Sequence, residues 1–233
     1  MRIGKLSADE VSALMRPIRH AKEPWGYRNK IELAPIRENG KFRLGLHGRD
    51  PNQIIKVDTC PLFSKKHAKA IKAVTGALGF LGNSRDLELE RVGIRSSRRT
   101  GALEVAPAGP HRASRAPRSH ACWVMPCAPQ VWYASCPREK SAPAAWPASG
   151  SRRRRFWTEK IGEENMRLSA PSFFQVNTKA AEILIDLVME ALDPQPNELG
   201  IDLYCGAGTF TLPLARRCDF VSAVESYGPA VRD

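Results

Sequence analysis

"IDLYCGAGTF", residues 201–210, decides how this chain folds: an apolar strand runs into a glycine turn, and "TLPLARRC" follows with helical spacing. A second apolar run, "FVSAVE" at 220–225, completes a strand–helix–strand unit of the nucleotide-binding kind. Pro213 is acceptable if the helix starts between Thr209 and Thr211, because the first turn has no N–H bonds to lose. A dinucleotide fingerprint requires a third glycine at 211, where this chain has Thr. Glu225 stands seventeen positions after Gly208, at the end of the second strand, where a carboxylate can accept both hydroxyls of a ribose. The plain alternative is an ordinary tight turn with Glu225 as a solvated strand end.

The departure at 211 has a physical meaning. A full glycine pattern packs a helix closely behind a pyrophosphate. S-adenosylmethionine has no pyrophosphate, so a looser turn preceded by an acidic strand residue, Asp202, suits it better.

Working outward, residues 178–192 read as a helix capped by Asn177 or Thr178, with a stripe of Ala180, Ile183, Leu184, Leu187, Val188 and Ala191. Before it, "FWTEKI", a turn at Gly162 to Asn165, and "MRLSA" read as paired strands. At the other end, residues 26–58 form a small β-unit in which Asn39-Gly40 separates two alternating runs, the strongest short hairpin signal. Residues 64–81 are helical in pattern, with Ala68, Ile71, Val74 and Leu78 on one face, and a further hairpin turns at Thr100-Gly101.

Between these patterned regions lies a stretch of another character. The net charge is +12, yet residues 106–155 alone carry +8 of it and contain no Leu, Ile, Phe or Asp. Bulk charge therefore says little about the patterned parts, which are only mildly basic. The Ala/Pro/Arg/Ser bias fits out-of-frame translation of a GC-rich gene, entered near Val105 and left near Arg155. It also fits a genuine basic insertion that binds RNA phosphates without building a core. The organisation expected is a β-rich region at 1–105, a patternless stretch at 106–155, and the start of a nucleotide-binding type of sheet at 156–233.

"SAPSFFQVNTKAAEILIDLVMEAL", "DLYCGAGTFTLPLA" and "AVE" resemble the RNA uracil-5 methyltransferases, which form 5-methyluridine in bacterial 23S rRNA and tRNA. "PWGYRNKIEL", "GLHGR" and "VDTCPLF" resemble the central β-region of the same family, in the same order. The resemblance covers roughly residues 15–105 and 156–233. It implies an α/β fold: the start of a class I, Rossmann-like methyltransferase sheet preceded by a smaller, β-rich RNA-binding region. It also implies that Gln175, Tyr204, Gly206, Thr209 and Glu225 contact S-adenosylmethionine. Asparagine is common in the family where Thr209 stands. Phe173 and Phe174 are expected to pack in the core beside the cofactor, and Cys205 and Cys218 to be buried packing thiols.

The family's chemistry needs a cysteine thiolate to add to uracil C6 and a carboxylate to remove the C5 proton, with the base turned out of its stack. The resemblance puts both groups beyond Asp233, so residues 1–233 are expected not to methylate RNA by themselves. "YASCPREK" at 133–140 imitates the nucleophile segment, but it precedes the glycine turn, and no strand is expected to present Cys136. Cys60 matches the fourth ligand of an iron–sulfur cluster in some relatives, but one thiolate cannot hold such a cluster. Arg28, Lys30, Arg43 and Arg49 are candidate RNA contacts, or solvated strand faces. No run of about eighteen apolar residues marks a membrane span. The expected setting is a cytoplasmic monomer acting on rRNA or tRNA; a non-catalytic RNA- or cofactor-binding remnant is the competing reading.

Overall fold

The structure is a computed structural model that describes residues 6–84, 88–109, 131–134 and 156–233. Helix α1 (Ala8–Leu14) opens on a capping box, in which the Ser7 hydroxyl accepts from Glu10 N and the Glu10 carboxylate accepts from Ser7 N. An irregular stretch leads from it to the first sheet.

That sheet is antiparallel, with five strands in the order β3-β2-β1-β4-β5. Its members are β1 (Lys30–Glu38), β2 (Lys41–His47), β3 (Ile54–Lys56), β4 (Arg91–Ser96) and β5 (Leu103–Ala108), and helix α2 (Ala70–Ser84) runs between β3 and β4. The Asn39-Gly40 hairpin forms as expected, both residues having left-handed φ (50° and 72°), which matches the twist of the flanking strands. The Thr100-Gly101 hairpin also forms, and β5 continues to Ala108, three residues past where its pattern fades.

Strand β1 changes partner midway. Lys30–Leu33 pair with β4, and Ala34–Glu38 pair with β2. Pro35 is tolerated for that reason: β4 no longer flanks β1 there, so the missing N–H leaves no gap in a ladder. One face of the sheet buries Ile31, Leu33, Phe42, Leu44, Val92 and Ile94 against Ile71 of α2 and against Phe63. Val74 and Leu78 join this core as expected. Ala68 does not, because α2 begins at Ala70 and residue 68 lies in the preceding turn, exposed.

Strands β6 (Val131–Ala134), β7 (Trp157–Ile161) and β8 (Glu164–Leu168) come next in the chain. The four residues of β6 lie within the stretch read as patternless; Val-Trp-Tyr is a run of strong strand formers. Cys136 lies outside the described residues. β7 and β8 form a separate two-stranded sheet, turning at Gly162 (φ 54°), and bury Trp157, Ile161, Met166 and Leu168 with Phe174 and Ala181.

Helix α3 (Thr178–Leu192) is capped by Asn177, whose side chain accepts from Ala180 N. Its packed face corrects the expected stripe: Ala181 and Met189 are buried, Ile185 and Val188 pack beside them, and Leu184 and Ala191 are exposed. This helix is apolar around much of its girth, so periodicity alone does not choose its buried side.

The last unit holds β9 (Leu199–Leu203), α4 (Thr211–Ala215), β10 (Phe220–Val224) and α5 (Gly228–Arg232). β10 pairs in parallel with β9 on one side and β6 on the other. Leu214, Cys218 and Val221 pack with Met189 of α3 as a third core. No helix among the described residues is long and apolar enough to cross a membrane.

Candidate functional site

The glycine turn joins β9 to α4 at the carboxyl end of the parallel strands, where open α/β sheets bind ligands. Tyr204 (φ 66°), Gly206 (φ 59°) and Gly208 (φ 88°) all take left-handed backbone, which turns the chain sharply out of the sheet. The Gly208 N–H closes the turn on Cys205 O at 2.9 Å. A Cβ built on Gly206 would meet nothing within 4 Å, so the space beside it is open to an incoming molecule.

Glu225 reaches across this turn from the end of β10. Its Oε2 accepts from Gly206 N at 2.9 Å, and its Oε1 from Tyr227 N at 2.7 Å. Each carboxylate oxygen has two lone-pair sites, so both keep capacity for a ligand hydroxyl. Tyr204 stands 88% exposed at the mouth, and Thr209 is half-buried in the turn. Thr211, where a third glycine was missed, is fully buried, and its hydroxyl donates to Asp202 Oδ2 at 2.5 Å. That bond ties α4 to β9, the docking a third glycine would otherwise permit by its small size. Asp202 is thus engaged by the fold.

Gln175 reaches the same region through its neighbour. Phe174 is buried in the cluster that Ala207 and Leu212 join, which sets the segment beside the turn. The Gln175 carbonyl accepts from Asn29 Nδ2 at 2.8 Å, while its side-chain amide has no partner among the described residues. Phe174 packs in the core as expected. Phe173 corrects that reading: it is 71% exposed, because adjacent residues of this extended segment face opposite ways.

Cys205 and Cys218 are buried free thiols. Burial first, then the carboxylates of Asp202 and Glu225, pushes the Cys205 thiol up to about 11. It is protonated at neutral pH, so it packs and does not attack. Burial also raises Cys218. Cys60 is half-buried against the first core, and among the described residues no three potential metal-ligating side chains stand together. The four candidate RNA-binding cations do not share one patch: Lys30 pairs with Glu32 at 2.8 Å, Arg43 donates to Phe42 O, Arg49 is exposed, and Arg28 borders a separate cleft.

Sequence reasoning missed the residues that join the two regions. Asn29 is buried, donates to Gln175 O and to Thr178 Oγ1, and its own N–H donates to Val176 O at 2.8 Å. Glu159, buried on β7, accepts from Ser97 Oγ at 2.7 Å and from Thr178 Oγ1. A polar residue on a strand otherwise read as core, as Glu159 is, was the available signal, since burying it demands partners.

Comparison with known proteins places this geometry. Residues 160–232 match the family described as tRNA (Uracil-5-)-methyltransferase. An uncharacterized RNA methyltransferase of Halalkalibacterium halodurans is 28% identical over 248 residues, covering 100% of this chain and 52% of that protein. The 23S rRNA (uracil(1939)-C(5))-methyltransferase RlmD of Methylococcus capsulatus is 51% identical over 69 residues, 30% of this chain and 16% of its own. The crystal structure of Pyrococcus abyssi tRNA (uracil-54, C5)-methyltransferase in complex with S-adenosyl-L-homocysteine shares the fold. Its TM-score is 0.60 at 21% identity, with 91% of this chain and 52% of that chain covered. The chain spans about half the length of the longest-aligned of these relatives.

Proposed function

We propose that this chain, whose residues 160–232 belong to the RNA uracil-5 methyltransferase family, holds S-adenosylmethionine at its glycine turn. It thereby supplies the cofactor half-site for forming 5-methyluridine in RNA. The observation that carries this reading is Glu225 held across the turn by Gly206 N, with lone pairs left for two ribose hydroxyls and open space beside the glycine. Tyr204 would flank the adenosine, Thr209 would line the turn, and the unpartnered Gln175 amide would meet the amino-acid end. The bound cofactor supplies an electrophilic methyl group; the chain's residues bind and orient it.

The chemistry proposed for the whole enzyme is the family's addition and elimination. A cysteine thiolate adds to uracil C6, C5 takes the methyl group, and a carboxylate removes the C5 proton as the thiolate leaves. No residue among 1–233 is assigned to either role, so these residues by themselves are proposed to bind the cofactor without methylating RNA. The 23S rRNA is the favoured substrate, supported by the short 51% match to a 23S rRNA enzyme. We further propose a cytoplasmic monomer, a β-rich region at 1–105, a methyltransferase region at 156–233, and no resident iron–sulfur cluster at Cys60.

Calorimetry with S-adenosylmethionine tests the half-site. Gln175→Ala and Glu225→Ala should each weaken binding by about 1–3 kcal/mol, the loss of a partly buried hydrogen-bonding group. Unchanged affinity in both variants would remove the cofactor assignment.

A further inference from the structure

A second cleft, of about 170 Å³, opens between the first sheet and the N-terminus of α3, bordered by Arg28, Ser64, Arg98, Arg99, Thr178 and Lys179. Three observations at this cleft share one cause. The first turn of α3, a helix of 15 residues, faces it, and the backbone N–H of Lys179 has no intrahelical acceptor. Among the described residues, the Ser64 hydroxyl, on a residue 1% exposed, has no hydrogen-bond partner, and neither has Arg28 Nε. A buried hydroxyl left without a partner costs free energy, unless something outside the chain completes it.

The charge around the cleft gives the sign of that missing partner. Four cations border it, against Glu23 and the buried Glu159. Glu159 is committed to Ser97 and Thr178. Glu23, from the irregular stretch after α1, bridges two of the cations, accepting from Arg98 at 2.5 Å and from Lys179 at 2.6 Å. An exposed carboxylate thus already occupies the cleft mouth as an anion would, leaving the donors deeper in the cleft unused.

We propose that this cleft is a phosphate-binding site, separate from the glycine turn. The phosphate oxygens accept from the Lys179 N–H in the first turn of α3, from Ser64 Oγ and from the Arg28 guanidinium, and Glu23 yields Arg98 and Lys179 as the anion enters. The phosphate comes either from a polynucleotide backbone or from free inorganic phosphate. The site does not depend on the cofactor reading and survives if that reading fails.

Titration of residues 1–233 with inorganic phosphate, followed by calorimetry, tests it alongside Glu23→Gln and Ser64→Ala. Glu23→Gln removes the internal competitor and should tighten phosphate binding roughly tenfold. Ser64→Ala should weaken it about fivefold, while the melting temperature holds, because that hydroxyl has no internal bond to lose. A second arm repeats both variants with an eight-residue oligouridylate. Parallel changes there assign the phosphate to a polynucleotide backbone; changes confined to inorganic phosphate assign it to the free ion. No phosphate binding, no response in either variant, or weaker binding in Glu23→Gln overturns the proposal. Cofactor titration of the same variants should give the parent affinity, which keeps failure here distinct from failure at the glycine turn.

Discussion

The first sheet and the β9–β10 unit solve the same problem to different degrees. In the first, α2 covers one sheet face and the strands bury their apolar residues there. In the second, one face of β9 leans on α4, with Gly200 against Leu214 and Val221, while Leu199, Ile201 and Leu203 face outward and are exposed. A parallel strand is ordinarily buried on both faces. The first region thus reads as a finished layer, and the second as one layer of a structure that needs two. Their stabilities should respond differently to the same kind of substitution.

The largest contrast should come from the closed core. Phe63→Ala removes a fully buried ring between sheet and helix, and should lower stability by about 3–5 kcal/mol in urea unfolding. A loss under 1 kcal/mol would mean that the first region is not closed in solution.

Next comes the join between β2 and β3. A Cβ on Gly45 would stand 2.5 Å from Ile55 O and 2.6 Å from Ile54 Cγ2, so Gly45→Ala should push β3 off the sheet edge at a cost of about 1–3 kcal/mol. Faster amide exchange confined to residues 54–56 would report it.

Thr211→Val is smaller. It keeps the volume and removes the hydroxyl that bonds Asp202, and should cost about 1 kcal/mol in thermal melts by leaving a half-buried carboxylate short of a donor. No measurable loss would show that this hydroxyl does not dock α4 on β9.

The smallest effect is the sharpest test of the comparison. Ile201→Ser on the outward face of β9 should shift stability by no more than about 0.5 kcal/mol, with less self-association at high concentration. A loss near that of Phe63→Ala would show that the outward face is covered, and the contrast between the two regions would collapse.

Local signals in the sequence were readable where a residue's role is set by its own backbone. Asn39-Gly40 announced its hairpin, Asn177 its cap, and Gly206 and Gly208 their turn, because each rests on dihedral preferences a few residues wide. The Thr211 position was read as a missing glycine, whereas its hydroxyl performs the docking. The face of α3 was misread because its apolar residues wrap around the helix, and the side that packs is that of Ala181, Ile185, Val188 and Met189. Asn29 and Ser64 were invisible for a different reason: the side-chain partners of Asn29 lie 146 and 149 residues away, and the Ser64 hydroxyl has none among the described residues. Sequence patterns carry periods; they do not carry appointments between distant residues.

Asn29 also makes the molecule a candidate for assembly from two pieces. Residues on the two sides of 110–155 meet through bonds that need no covalent link: Asn29 to Gln175 and Thr178, Arg95 to Ser169 O at 2.8 Å, Ser97 to Glu159, and Arg99 to Lys160 O. The intervening peptide adds β6 beside β10 and keeps the two sides at high local concentration. Two separately expressed halves, 1–109 and 156–233, should find each other and copurify. Replacing Asn29 with Leu should abolish that reunion while sparing the hairpin at Asn39-Gly40.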